Sequence, residues 1–327
     1  MVTSLDEKYM RTCLSLALKG KGNVAPNPMV GCVVLDKNGK VVSKGYHKKY
    51  GKNHAERDAL TKLINNEAEG GTLYVNLEPC SHYGKTPPCV DLIIEHKLAR
   101  VVFAMRDPNP KVNGIDKLKK AGIEVVEGIL EDEAKFLNRV FVKNITQQMP
   151  YVVLKTATTM DGKIATKTGS SKWITSSEAR DEVYKMRKDF DCIMTSSNTV
   201  IADNPTMEHK FKCVIDRHGK TKSDAKIYQQ GKIHISTKSL KETLRDLYNE
   251  GACTVFVECG GTLAGALLKE NLIDEVYQFI APKILNDNNG FSCFNGDDVE
   301  DINKAKNLNI YEIKQVGKDI LIKGTFS

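Results

Sequence analysis

The stretch from His54 to Cys89 constrains this chain more than any other. It reads His54-Ala55-Glu56, a strand-like run from Thr72 to Leu77, then Glu78-Pro79-Cys80, and finally Pro87-Pro88-Cys89. One imidazole and two thiols are borderline and soft ligands for a tetrahedral Zn²⁺, and the missing fourth ligand leaves a position for water. Zinc lowers the pKa of such a water to about 7, so hydroxide is at hand near neutral pH without a strong base. Glu56, two residues beyond His54, is placed to accept that proton and deliver it to a leaving amine. Taken singly, each Cys also suits an ordinary buried thiol, and a Cys80–Cys89 disulfide is the alternative in an oxidising compartment. The combination of His-x-Glu with both Pro-Cys pairs favours metal.

His-x-Glu followed by Pro-Cys and a second Cys is the signature of zinc nucleobase deaminases. Here eight residues separate Cys80 from Cys89, where that signature has two. The run Pro79-Cys80-Ser81-His82-Tyr83-Gly84-Lys85-Thr86-Pro87-Pro88-Cys89 resembles the pyrimidine deaminase half of the bifunctional riboflavin-biosynthesis deaminase-reductases. The resemblance extends through Ala25-Pro26-Asn27-Pro28-Met29-Val30-Gly31, Gly45-Tyr46-His47 and Asp107-Pro108-Asn109-Pro110, and covers nearly all of residues 1–147. It implies a zinc cytidine-deaminase-like three-layer α/β domain, with zinc on His54, Cys80 and Cys89 and Glu56 as proton shuttle. It further implies that Asn27, His47, His82 and Lys85 line a site for a pyrimidine carrying a ribose phosphate, where Lys85 offers a point charge. One departure is visible: relatives carry a longer Gly-x-Gly segment after Asp-Pro-Asn-Pro, whereas Val112-Asn113-Gly114-Ile115 passes directly to a helix.

Periodicity places these motifs. Ser4 to Gly20 reads as a helix, with a Ser4/Glu7 capping box and an apolar face of Met10, Leu14, Ala17 and Leu18. Met29 to Leu35 and Val41 to Tyr46 form a hairpin about Asp36-Lys37-Asn38-Gly39. His54 to Asn66 carries Ala55, Ala59, Leu60, Leu63 and Ile64 at helical spacing, which puts His54 and Glu56 in the first turn. The run Thr72 to Leu77 is a buried strand delivering Cys80 past its end, and Pro87-Pro88 suits the start of a helix at Cys89. Strands at Arg100 to Met105 and Ile123 to Val126 flank a helix around Asp116 to Ala121, and Leu130 to Gln148 reads as one long helix. Such alternation predicts an α/β sheet covered on both faces, binding its ligand at the carboxyl ends of the strands.

A length of 327 residues suggests two domains, and Met149-Pro150 followed by a fresh strand at Tyr151 sets the boundary at 147/148. The second half alternates again, with Ser176 to Lys188 and Leu240 to Glu250 helical. Its strands fall at Asp191 to Thr195, Cys213 to Asp216, Ile233 to Ser236 and Thr254 to Glu258. Gly260-Gly261-Thr262-Leu263-Ala264-Gly265-Ala266 then opens a helix, which reads equally as a phosphate-binding turn or as a tight packing turn.

The segments 154–165, Trp173-Ile174-Thr175, 195–200, Ala202-Asp203-Asn204-Pro205 and Ala281-Pro282-Lys283 resemble the reductase half of the same family. That half is similar to dihydrofolate reductase in fold, and the resemblance implies a dihydrofolate-reductase-like α/β domain over 148–327 that uses NADPH. It assigns Ala157, Trp173, Thr199, Asp203 and Gly260 to Ala266 to the cofactor, and Ser171, Arg187, Met207, Lys210 and Glu258 to the substrate. The chemistry implied is hydride transfer to a ribose carbon made electrophilic by ring opening to an imine, with Lys155, Asp203 and Glu258 as candidates for proton handling. Relatives read x-Leu-x-x-Arg after Asp-Asn-Pro, whereas this chain has Thr206-Met207-Glu208-His209-Lys210 and a shortened loop. Lys for Arg loses a bidentate grip on phosphate, so an impaired reductase beside an active deaminase is the alternative.

Composition limits the remaining classes. No apolar stretch is long enough to span a bilayer, and Met1 to Lys8 lacks the layout of a signal peptide. Nine scattered cysteines fit a reducing compartment, so a cytoplasmic enzyme is expected. The net charge of +7 is dispersed and aromatic residues make up only 7%, which disfavours the rival reading of an RNA-binding or RNA-editing protein. The expected partner is a phosphorylated pyrimidine, without nucleic acid or membrane, in a homo-oligomer.

Overall fold

The computed structural model describes residues 4–64, 66–83, 87–297 and 299–326. The chain divides into two compact units, Met1–Gln147 and Gln148–Ser327. In the first, the elements run α1 (Ser4–Leu18), β1 (Gly31–Leu35), β2 (Val41–Tyr46), α2 (Ala55–Leu60), β3 (Thr72–Leu77), α3 (Cys89–Glu95), β4 (Arg100–Met105), α4 (Gly114–Lys120), β5 (Glu124–Glu127), α5 (Glu131–Leu137) and α6 (Arg139–Gln147). The sheet order is β2-β1-β3-β4-β5. The strands β2, β1 and β3 are antiparallel neighbours, and β3, β4 and β5 are parallel.

Two glycines admit helices to opposite faces of this sheet. Gly31 pairs with Tyr46 and Cys32 with Gly45, so Gly31 and Gly45 stand one register step apart and face opposite sides. A Cβ on Gly31 would overlap the Cys13 carbonyl of α1, and one on Gly45 would overlap the Ala55 carbonyl of α2. The helices α1 and α5 therefore share one face, while α2, α3 and α4 form the layer on the other. Between them lies an apolar core that includes Met10, Val33, Leu60, Val75, Ile93 and Phe103. Asp6, 1% exposed, ties α1 to the sheet by accepting from the Tyr74 hydroxyl and the Arg100 guanidinium, both at 2.8 Å.

Several boundaries differ from the sequence reading. The buried face of α1 runs through Met10, Cys13 and Ala17, and Leu18, expected on it, is half exposed. The helix expected over 54–66 is α2 alone, ending at Thr61, and Ile64 is exposed rather than part of an apolar face. The single helix expected over 130–148 is broken at Asn138 into α5 and α6. The Asn138 side chain leaves the helical run to bracket the Met29 backbone, accepting from its N–H at 2.8 Å and donating to its carbonyl at 3.0 Å.

The second unit runs β6 (Tyr151–Thr159), β7 (Lys163–Ala165), α7 (Ser177–Arg187), β8 (Cys192–Ser196), α8 (Ser197–Asp203), β9 (Phe211–Ile215), β10 (Lys232–Ser236), α9 (Leu240–Asn249), β11 (Thr254–Glu258), α10 (Gly261–Lys269), β12 (Glu275–Ala281), β13 (Phe291–Ser292), β14 (Leu308–Val316) and β15 (Asp319–Phe326). Its main sheet is ordered β10-β9-β8-β11-β6-β12-β15-β14. The strands from β10 to β12 are parallel and the last pairings antiparallel. Capping is local: Ser176 accepts from Ala179 N–H at the start of α7, and Ser239 with Glu242 forms a capping box on α9. Among the described residues no helix is long and apolar enough to cross a membrane.

Candidate active sites

Residues far apart in the first unit's sequence meet past the carboxyl ends of β3 and β4. His54 is the residue preceding α2, Cys80 lies just beyond β3, and Cys89 is the first residue of α3 behind Pro88. Their ligand atoms all lie within 4.8 Å of one another. The His54 Nδ1 is 3.4 Å from the Cys80 sulfur and 3.6 Å from that of Cys89. Tetrahedral zinc with ordinary Zn–N and Zn–S bonds sets nitrogen and sulfur about 3.6 Å apart, so the donor set and its spacing fit the ion. All nine cysteines are free thiols, which removes the Cys80–Cys89 disulfide.

The cluster is electrostatically primed. The Cys89 thiol and its backbone N–H both point at the Cys80 sulfur, and with His54 they hold Cys80 down to about 4 against its burial. The same shared proton pushes Cys89 up, with burial adding to it. The hydrogen bond to Cys80 raises His54. Glu56, 4% exposed, lies against the Cys89 thiol. Burial pushes its carboxyl up to about 7, the Cys80 thiolate adds to this, and His54 opposes it.

Asn27 and His47 sit beside this cluster. His47 packs edge-on to His54 with ring centroids 5.6 Å apart. Its Nδ1 lies 2.9 Å from the Asn53 carbonyl, which can only accept, so Nδ1 carries the proton and Nε2 is an acceptor. Burial pushes the imidazole down, consistent with a neutral ring. The Asn27 amide N–H₂, 3.2 Å from that Nε2, donates to it, which leaves the Asn27 carbonyl oxygen for a ligand. His82 is exposed. Lys85 lies outside the described residues.

In the second unit the candidates spread along one edge of the sheet. Lys155 on β6 and Glu258 on β11 are register partners, and Lys155 Nζ stands 3.8 Å from the Glu258 carboxylate. Arg187, ending α7, grips the same carboxylate at 2.6 and 3.1 Å. Burial would raise Glu258, but Lys155 and Arg187 outweigh it and hold the carboxyl below its usual range. Burial lowers Lys155, and Arg187 pushes the same way. Ala157 follows on β6, Thr199 lies in the first turn of α8 with its hydroxyl 3.1 Å from Ser196, and the segment Gly260, Gly261, Thr262, Leu263, Ala264, Gly265, Ala266 opens α10.

The glycines of that segment divide by role. A Cβ on Gly261 or Gly265 would overlap the backbone of Ser292 or Asn295, so these two answer a packing need. A Cβ on Gly260 would meet nothing within 4 Å, so the start of α10 is open to a phosphate group. Trp173 is 61% exposed, with the Arg180 guanidinium 4.3 Å over its ring and its carbonyl accepting from Lys283 at 2.5 Å. Next to it, Lys172 reaches Asp203 at 3.6 Å, so these two cofactor candidates are drawn together. Ser171 lies on the same segment, half buried. Met207 is 7% exposed and Lys210 exposed, both on the loop between α8 and β9. The buried Lys212 ties that loop down through the Thr206 and Ile227 carbonyls.

Some residues around the sites carried no local signal. Asn76 and Asn138 clamp Met29, two residues beyond Asn27. Single polar residues within apolar runs have no period to reveal them. The acid of Glu78-Pro79-Cys80 was legible as part of a motif, though not for what it holds.

Comparisons with known proteins agree across both units. The family "Cytidine and deoxycytidylate deaminase zinc-binding region" matches residues 3–105, and the family "RibD C-terminal domain" matches 150–322. "Riboflavin biosynthesis protein RibD" of Aquifex aeolicus is 39% identical over 98% of this chain and 99% of its own length. The protein of the same name from Escherichia coli is 36% identical over 97% and 98%. Among solved structures, Acinetobacter baumannii RibD superposes with a TM-score of 0.85 at 35% identity, covering 99% of each chain. A Thermotoga maritima structure titled diaminohydroxyphosphoribosylaminopyrimidine deaminase/5-amino-6-(5-phosphoribosylamino)uracil reductase gives 0.83 at 32% identity, again over 99% of each. End-to-end matches to such relatives favour a chain carrying both activities over one with an idle second half. Zn²⁺ and NADPH are the cofactors of the two activities. The chain therefore belongs to the RibD family, the bifunctional deaminase-reductases of riboflavin biosynthesis.

Proposed function

We propose that residues 1–147 deaminate 2,5-diamino-6-(5-phosphoribosylamino)pyrimidin-4-one and that residues 148–327 then reduce its ribosyl chain to a ribityl chain. The activity named for the Thermotoga maritima relative supports this substrate. The single observation carrying the reading is the convergence of His54, Cys80 and Cys89 beside the buried Glu56 carboxylate.

His54, Cys80 and Cys89 would hold the zinc ion. Zinc in such a donor set supplies Lewis acidity that brings water's ionisation into the neutral range. Glu56 takes the proton of the attacking water and hands it to the exocyclic nitrogen that leaves as ammonia. Asn27 turns its carbonyl toward the pyrimidine, held in that sense by the neutral His47. His82 and Lys85 serve the ribose phosphate, Lys85 as a point charge.

In the second unit, Ala157, Trp173, Thr199, Asp203 and the start of α10 hold the cofactor, and Ser171, Arg187, Met207, Lys210 and Glu258 hold the substrate. When bound there, NADPH would supply the hydride for this reduction. Lys155 handles the accompanying proton: it is buried against Glu258, whereas Asp203 is exposed and paired with Lys172. Among the free thiols, Cys13, Cys32, Cys192, Cys213 and Cys253 are buried, which suits a reducing cytoplasm. A homo-oligomer through the edge strand β14 has support in the exposed Ile310 and Ile313.

The test couples metal analysis to activity. Purified, reduced enzyme is expected to contain one zinc per chain, and Cys80→Ser to lose it together with ammonia release. Full zinc content in that variant would remove the ligand assignment.

A further inference from the structure

Glu78 lies on the turn between β3 and Cys80 and is 6% exposed. A buried carboxylate needs compensation. Here it comes from backbone N–H groups of a separate segment: Gly114 at 2.9 Å and Ile115 at 3.3 Å on one oxygen, Asp107 at 3.4 Å on the other. The neighbouring residues continue the seam. The Ser81 hydroxyl accepts from Asn113 N–H at 2.7 Å, and Lys117 donates to the Ser81 carbonyl at 2.8 Å. A Cβ at Gly114 would overlap the Pro79 carbonyl, so the segment 107–115 and the Cys80 turn are in contact as closely as backbones allow.

We infer that Glu78 is a positioning residue for the deamination: its carboxylate locks the 107–113 loop against the zinc-ligand turn and so fixes the wall of the pyrimidine site. Both oxygens act only as acceptors, and they bridge the two ends of that loop, at Asp107 and at Gly114. The Asp107 carboxylate in turn holds its own loop, accepting from the Asn109 N–H at 2.8 Å, and burial pushes this carboxyl up to about 6. With the loop ends pinned, the substrate meets a preformed surface; with them released, the ligand must order the loop on binding. The inference rests on the proposed zinc site, and it concerns substrate capture rather than the metal.

Glu78→Gln is the test, because glutamine keeps the size and one acceptor oxygen but sets an N–H₂ against one of the loop's N–H donors. With full-length enzyme we expect the KM for ammonia release to rise about tenfold or more, by the loss of a buried charge-assisted acceptor, with a smaller fall in kcat. Zinc content and NADPH oxidation on the deaminated product should stay at wild-type levels. Unchanged KM and kcat would overturn the inference, and so would activity lost only in proportion to lost zinc. Should Glu78→Gln fail to fold, as loss of the first unit's unfolding transition would reveal, Gly114→Ala decides. Its Cβ pushes the same seam apart with Glu78 intact, and it must raise KM with zinc retained or the inference falls. Absence of zinc from the wild-type protein would instead remove the metal-site reading and leave the KM comparison standing.

Discussion

The deaminase and reductase sites solve the same problem, placing polar groups at the carboxyl edge of a sheet, in opposite ways. Around the zinc cluster the functional atoms crowd together: the ligand atoms lie within 4.8 Å and Glu56 packs directly on Cys89. Among the described residues of the second unit, Lys155, Arg187 and Glu258 form one ion-paired cluster, and the remaining candidates are spread over β6, the segment before α7, α8, the loop after it and the start of α10. The difference follows from what each site must grip. A small divalent ion demands bonds of fixed length from a few atoms, whereas a dinucleotide and a sugar phosphate are large and take many modest contacts. A concentrated site should therefore fail all at once, and a distributed one by degrees.

The largest effect is expected at Glu56. Glu56→Gln removes the proton carrier and should lower kcat for ammonia release by about two to four orders of magnitude while zinc content is retained. NADPH oxidation on the deaminated product should be untouched, and a parallel fall there would erase the contrast between the units. Next comes Glu258, the one point where the reductase site is concentrated. Glu258→Gln leaves Lys155 and Arg187 without their shared counter-charge, and breaking a buried pair costs about 3–5 kcal/mol, so the lower end suits groups that keep some contact with water. Because Glu258 is held below its usual range, the stability it contributes is complete above the free value of 4.5 and is lost as pH falls through the lower folded value. Thermal unfolding of the variant and wild type should therefore converge in acid. A gap that widened below that value would show the charge assignment to be wrong.

The same contrast governs how much could be read from the sequence. His54, Glu56, Cys80 and Cys89 were legible because metal and proton chemistry admits few residue types at few spacings. The strand β3 was legible because Thr72–Leu77 is a short apolar run ending at a motif. Periodicity failed where a distant contact overrode it. Asn138 interrupts an otherwise continuous helical pattern because its amide brackets Met29, more than a hundred residues away. Leu63 and Ile64 extend the pattern of α2 on paper, yet the helix ends at Thr61. In the second unit β12, β14 and β15 went unassigned: much of β14 faces solvent, and its register depends on pairing across the Gly317 turn. The glycines of α10 carried two readings, and only tertiary packing separates Gly261 and Gly265, which face Ser292 and Asn295, from the open Gly260.

Smaller effects probe the distributed site. Lys210→Arg adds a planar fork where the proposed phosphate grip has a point charge, and KM for the reductase step should fall by about threefold, the worth of one improved charge-assisted contact at an exposed position. An unchanged KM would take Lys210 out of the substrate site.

Asp161 gives the smallest effect and the sharpest check on distribution. The Thr159 hydroxyl and the Leu285 and Asn286 N–H groups hold its carboxyl at about 2, so it pins the 284–286 segment to the loop after β6. Its folded pKa is depressed, so its contribution to stability is present above the free value of 3.8 and drains away as pH falls through about 2. The same tether borders the segment carrying Ser171 and Trp173, whose Lys167 N–H bonds Asp287 at 2.9 Å. Asp161→Asn should lower the melting temperature slightly at neutral pH, with the difference from wild type shrinking toward pH 2, and should raise the KM for NADPH by less than about threefold. Ammonia release should not change. A near-complete loss of NADPH oxidation would mean that one exposed carboxylate governs the whole reductase site, and the site would then be concentrated after all.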